Sequence, residues 1–412
     1  MLYRAFKSAS LWITVLLITA NAQAGSITLT FDQLDDYAKS KSARAGIIEH
    51  QFQSVRAERD QQLQWSNPEL SYDREDFDVT EEYQFTLSKS FEVPWSNLKK
   101  RSGWKDRVES AQLQSEHEKL RLLSELRTGY VEQQLLSEYL SRLEMLRAIM
   151  TDASHVASDR HTEGHLSGVE EHLIQMSVIS LNASYQESQQ LKRDLESSWK
   201  GEIGIQPSDN LIMSSPILYQ AIELQPATEY LENLKERPGH QYRRILAQSL
   251  AKRASAEKGK FIPALNFYGG YKKIEPATDG YVAGVSIDIP LFNRNNAAAK
   301  KLDIERRIVE RENEIYFIEI ETHLSGLVRS INEAQQSLGI VAEHFDEDLE
   351  SLNSLVYSYE EGWLTLNELL NAIQIEVAGL KDYYNMLISY YENIFQLEAL
   401  TATNLVSFGK QE

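Results

Sequence analysis

Four histidines and two glutamates gather in one short stretch: His155, His161, His165 and His172, with Glu163 and Glu171. Imidazole and carboxylate groups at this spacing could hold a transition metal, and His161 and His165, four apart, could share a helix face. The set lacks a metalloprotease-type HExxH, and Gly164 interrupts the helix between the pair, so a solvated loop is the competing reading. Other chemistry is scarcer. The 412 residues include no cysteine, which excludes disulfides, thiolate metal sites and cysteine nucleophiles. There is no GxxxxGK[ST], no GxGxxG after a strand and no GxSxG. Tyr383, Tyr384, Tyr390 and Tyr391 lie on the last helical stretch and read as packing, not as a ligand cage. A formal net charge of −19 argues against nucleic acid, whose phosphates require Lys and Arg. No enzyme activity and no cofactor are expected.

The elements around these residues form a pattern written twice. Trp65-Ser66-Asn67-Pro68-Glu69-Leu70-Ser71-Tyr72 is matched by Lys260-Phe261-Ile262-Pro263-Ala264-Leu265-Asn266-Phe267. Phe91-Glu92-Val93-Pro94-Trp95-Ser96-Asn97 is matched by Ile287-Asp288-Ile289-Pro290-Leu291-Phe292-Asn293. Gly164-His165-Leu166-Ser167 with Glu170 is matched by Gly362-Trp363-Leu364-Thr365 with Glu368. A near-constant offset at all three places indicates a tandem duplication of helix, hairpin, long helix, turn and helix.

Within each hairpin the alternation is that of a strand with one apolar face. Tyr83, Phe85, Leu87, Phe91 and Val93 alternate with polar residues, broken only by Lys89, and Tyr281, Ala283, Val285, Ile287 and Ile289 alternate in the second copy. Strands of about ten residues suit a tilted membrane crossing. Aromatics near the strand ends (Trp65, Tyr72, Tyr83, Phe91, Trp95, Phe267, Tyr271, Tyr281, Phe292) suit an interfacial girdle. A soluble hairpin packed on helices would alternate in the same way.

Two coiled-coil stripes follow. One runs Leu324, Leu327, Ile331, Ala334, Leu338, Val341, Phe345, Leu352, Leu355 and Tyr359, broken at Asp348. The other runs Leu366, Leu370, Ile373, Val377, Leu380, Tyr384, Leu387, Tyr391 and Ile394. From Asn97 to about Arg160 there is no proline, so a helix there is on the order of 90–100 Å long at 1.5 Å per residue. Gly164 and Gly362 end long helices. Ser167 and Thr365, with Glu170 and Glu368 three residues on, read as capping boxes.

The expected organisation begins with a signal peptide over 1–24: basic Arg4 and Lys7, apolar Leu11–Thr19 and an Ala22-Gln23-Ala24 cleavage site. The mature chain then starts at Gly25, which leaves no cysteine for lipid attachment there. The first repeat covers 25–200, with a hairpin over about 66–93 and a tip turn over about 161–168. A linker with little regular structure covers 201–225. The second repeat covers 226–407, with a hairpin over about 263–290 and a turn over about 359–366, and 408–412 is a tail. No later run is apolar and long enough for a transmembrane helix, so a membrane crossing requires a closed barrel.

With this order, spacing and duplication, the chain resembles the TolC family of outer-membrane efflux proteins over essentially the whole mature length. The resemblance implies a mainly α homotrimer. Each chain gives four strands to one twelve-stranded outer-membrane β-barrel, continued by a long helical coiled-coil tunnel in the periplasm. It implies a passive efflux duct whose partners are a periplasmic adaptor, an inner-membrane pump and outer-membrane lipid. The implied adaptor-docking residues are Gly164, Leu166, Ser167, Gly362, Leu364 and Thr365. The implied tip gate comprises Tyr359, Glu170 and Glu368, although both glutamates serve equally as helix caps. Leu364 stands where some members place an arginine gate partner, so that particular latch is not expected here. The heavy-metal efflux branch would fit His161 and His165. The alternative is a soluble periplasmic coiled-coil adaptor or scaffold, and the exported substrate stays open.

Overall fold

The computed structural model describes residues 26–78, 80–92, 94–262, 264–275, 278–287, 289, 295–345 and 348–408. The signal sequence and its cleavage site lie outside the described residues, as do Val93, Pro263, Pro290, Phe292 and the last residues of the tail. The side chains of Trp95, Phe345 and Leu352 are likewise undescribed.

The first copy runs β1 (Ser26–Leu29), α1 (Phe31–Lys41), α2 (Ala43–Leu63), β2 (Glu69–Phe77), β3 (Thr80–Phe91), α3 (Pro94–Thr162) and α4 (Gly168–Ile203). After β4 (Asn210–Met213), the second runs α5 (Ala227–Leu234), α6 (Pro238–Gly259), β5 (Leu265–Glu275), β6 (Thr278–Ile287), α7 (Asn296–Phe345), α8 (Asp348–Glu360) and α9 (Leu366–Thr401).

α3 is a single helix of 69 residues, about 100 Å at 1.5 Å per residue. Along its sheet-side half it packs against α2 and α6. Toward the tips it packs against α4 and α9. Close approach along this rod explains two glycines that carry no motif. A Cβ on Gly129 would sit 2.4 Å from the Trp199 ring, and one on Gly103 would sit 2.7 Å from Arg253. Trp199 stays in place by donating from Nε1 to the Leu126 carbonyl at 3.1 Å. The stripes do what their spacing requires: Leu324, Leu327, Ile331 and Leu338 are buried, as are Leu366, Ile373, Leu380, Tyr384, Leu387, Tyr391 and Ile394.

The segment between the copies is irregular over 214–226 but carries two regular pieces. α4 continues to Ile203, and Asn210–Met213 pairs in parallel with Ser26–Leu29, in the register Ser26 with Asn210 through Leu29 with Met213. The backbone groups of the inter-copy segment thereby find partners that its Pro and Gly content conceals. Nearby, Arg127 donates to Asp35 at 3.0 and 2.6 Å and to Glu398 at 2.7 Å. Glu398, only 4% exposed, also accepts from the backbone N–H groups of Leu405 and Val406. One guanidinium therefore ties the first helix, the last helix and the chain segment that follows it.

The four long strands form one antiparallel sheet in the order β2-β3-β5-β6. The two copies meet at the central β3–β5 pairing, from Glu81 opposite Glu275 to Phe91 opposite Leu265.

Candidate functional site

The two candidate sites are the paired tip turns and the sheet. At the first tip α3 stops at Thr162, and Gly164 adopts φ +80°; at the second, Gly362 adopts φ +77°. Glycine takes this left-handed conformation at little steric cost. Their hydrogen bonds repeat residue for residue. His165 and Leu166 N–H both donate to the Arg160 carbonyl, at 2.8 and 3.2 Å, and Trp363 and Leu364 N–H both donate to that of Ser358, at 2.8 and 3.1 Å. The next helix starts with a reciprocal cap in each copy. Glu170 N–H donates to Ser167 Oγ at 3.2 Å, while Ser167 N–H donates to the Glu170 carboxylate at 3.0 Å. Glu368 N–H donates to Thr365 Oγ1 at 3.3 Å, while Thr365 N–H donates to Glu368 at 2.9 Å. These bonds hold both glutamate carboxyls below the usual range, from the Ser167 backbone and hydroxyl in one copy and the Thr365 hydroxyl and backbone in the other. Both glutamates are therefore engaged as caps within their own turns.

Leu166 and Leu364 are half-buried and pack on the helical core, so they shape the turns from within. The side chains presented outward include His165, Val169 and Trp363, the last 73% exposed and edge-on to exposed Tyr357 at 6.0 Å. His161 and His165 do not share a helix face, because α3 ends between them. His161 Nδ1 lies 2.9 Å from the Leu166 carbonyl and its Nε2 lies 3.7 Å from Glu171, so the ring braces the turn. Among the described residues no group of three or more His, Asp or Glu is arranged to hold a metal.

Sequence reading missed Arg160. Its Nη2 donates to the Glu360 carbonyl at 3.0 Å, and its guanidinium lies 5.1 Å from the Tyr359 ring centre. Tyr359 is buried; burial pushes its hydroxyl's pKa up, and the neighbouring Arg160 guanidinium opposes that shift. Arg160 thus bridges the first tip to the second. A basic residue one turn before a helix-ending glycine was a visible signal, but helix-dipole pairing explains such a residue equally well.

At the other end, register fixes the two sheet faces. Leu70 opposes Leu87 and Tyr72 opposes Phe85. Phe85 opposes Tyr271, and Phe91 opposes Leu265. Tyr271 opposes Tyr281, and Phe267 opposes Val285. These side chains are exposed, Tyr281 at 93%, and touch one another: Tyr72 tilted against Phe85 at 4.9 Å and Phe91 edge-on to Phe267 at 5.7 Å. The other face carries Ser71, Asp73, Glu75, Gln84, Thr86, Glu82 and Lys272. Glu75 and Glu82 stand opposite one another, and Lys272 pairs with Glu82 to offset that repulsion. β3, twelve residues long, extends about 40 Å, enough to cross a hydrocarbon core when tilted.

No family model matches the chain, and no curated protein matches it. Solved structures do. CusC, described in connection with folding and transmembrane channel formation, superposes with TM-score 0.73 at 14% identity, over 90% of this chain and 91% of that one. The fold is that of the outer-membrane channels. VceC, an outer-membrane protein of Vibrio cholerae, gives 0.72 at 13% identity over 90% and 96%. The open MtrE outer-membrane channel of Neisseria gonorrhoeae gives 0.67 at 13% over 90% and 88%. This channel fold is the one the sequence resemblance implies, with one chain contributing an open four-stranded sheet.

Proposed function

We propose that three copies of this chain form an outer-membrane duct, the exit channel of a tripartite efflux system, which carries solute passively from an inner-membrane pump to the exterior. The observation that carries this reading is the sheet: an exposed apolar face, a polar face behind it, and free outer edges on β2 and β6. Lipid does not tolerate unpaired strand edges, and four strands cannot close by themselves. Joining β2 of one chain to β6 of the next satisfies both edges and places the polar face on the lumen. A soluble adaptor would have no use for an apolar band this large, which would be an aggregation liability in water.

The helices below form the periplasmic tunnel, and its far end is the gate. Arg160 and Tyr359 hold the tip hairpins together, and a periplasmic adaptor opens them by binding the splayed state more tightly. Gly164, Ser167, Gly362 and Thr365 set the shape of the docking turns, Leu166 and Leu364 anchor them, and Glu170 and Glu368 hold their helix starts. The duct performs no reaction and uses no cofactor; energy comes from the pump.

Because the chain lacks cysteine, engineered pairs report the edge contact cleanly. Cysteines scanned along β2 (from Ser71) and β6 (from Ser286) should yield a cross-linked ladder that stops at three chains in outer-membrane fractions. Cross-linking absent at every register, or a chain released from membranes by carbonate, would defeat the proposal.

A further inference from the structure

Where the sheet meets the helices there is a recess of about 870 Å³ that the duct reading does not use. It lies between the end of α2, the end of β3 and the first turns of α3. Its apolar side is Trp65, Phe91, Leu98 and Leu265, all exposed, with Trp65 edge-on to Phe91 at 6.1 Å. Its polar side carries Lys100 and Arg101. No ion pair among the described residues engages either base, and Glu92 is the only carboxylate lining the recess. Lys89 adds a third cation, stretched over the Trp65 ring at 5.9 Å and bonded to the Ser66 carbonyl.

We infer that this recess seats an anionic glycerophospholipid of the periplasmic leaflet, its phosphodiester on Lys100 and Arg101 and its upper acyl chain along Trp65, Phe91 and Leu98. The inference rests on the membrane placement proposed above and adds to it a specific lipid contact. Phe91 and Leu265 belong to the apolar sheet face, so the recess opens on the lipid side and continues the apolar band. It sits at the helix end of that band, the depth at which phosphate head groups lie. Aromatic rings favour this interface, and basic side chains there attract anionic head groups. A protein partner would need to enter the hydrocarbon edge to reach Phe91, whereas a lipid presents charge and chain together at that level.

The test uses trimers reconstituted in vesicles of phosphatidylcholine and phosphatidylglycerol, with bromine on the acyl chains of one lipid at a time. The Trp65 emission is taken as the difference between the wild type and Trp65→Phe. Brominated phosphatidylglycerol should quench it at about a tenfold lower mole fraction than brominated phosphatidylcholine. In the double variant Lys100→Ala, Arg101→Ala that preference should vanish while quenching by phosphatidylcholine persists, which shows that the variant is still inserted. Equal quenching by the two lipids in the wild type overturns the inference, as does displacement by soluble glycerol phosphate, which would assign the recess to a free anion. No quenching by either lipid would overturn both the inference and the membrane placement beneath it.

Discussion

Arg160 carries more of the tip than any residue the sequence singled out. It couples the two hairpins of one chain through a ring face and a carbonyl, not through a carboxylate. Arg160→Ala should leave trimers intact and raise their conductance in planar bilayers several-fold. Arg160→Lys should fall between, because an ammonium keeps the charge but loses the planar stacking. Unchanged conductance in the alanine variant would remove Arg160 from the gate. His117 offers a pH test in the helical body. Burial, then Arg243 and Arg121, lower its pKa from 6.5 to about 4. The unfolded chain therefore binds the proton more readily than the folded one between those values. Stability is full above pH 6.5 and declines as pH falls toward 4, by about 2 kcal/mol per chain at pH 5. His117→Gln should flatten the thermal dissociation profile over that window.

At the scale of elements, the α3–α4 contact depends on an absent side chain. Gly129→Leu would drive into the Trp199 ring and break its bond to the Leu126 carbonyl. Overpacking of this kind costs about 1–3 kcal/mol, to be read as earlier thermal dissociation of the trimer. Gly129 marks where sequence reading stops. Helices, strands and turns were legible because each is written in local spacing: heptads for α9, alternation for β3, capping boxes after each tip. Contacts between remote segments leave no such period. Asn210–Met213 pairs with a strand far away in sequence, so its Pro- and Gly-rich surroundings concealed it. Arg160 reaches Glu360 across the same kind of separation. The glutamates of the tips were legible as caps, and the structure gives them that part; that the Glu170 charge also reaches the Tyr359 hydroxyl, across 189 residues of chain, had no local signal.

For the whole molecule, Arg127 is the knot. Its partners come from α1, α9 and the segment after α9. Arg127→Ala would leave the Glu398 carboxylate buried without its cation. The expected loss is about 3–5 kcal/mol, seen as thermal dissociation and as earlier proteolysis near both chain ends. If Arg127→Ala dissociates at the wild-type temperature, the ends are held by β1–β4 pairing and aromatic packing alone.

The duplication is equal in backbone and unequal in surface. Both turns share one hydrogen-bond pattern, yet the first offers His165 where the second offers Trp363 beside Tyr357. In the proposed trimer, three such chains would turn toward the periplasm six seats of two alternating kinds, imidazole and indole. A six-membered partner built from identical subunits could not meet them all alike. Its subunits would have to pair off, one of each pair reading each chemistry, and threefold order would be imposed on a sixfold collar.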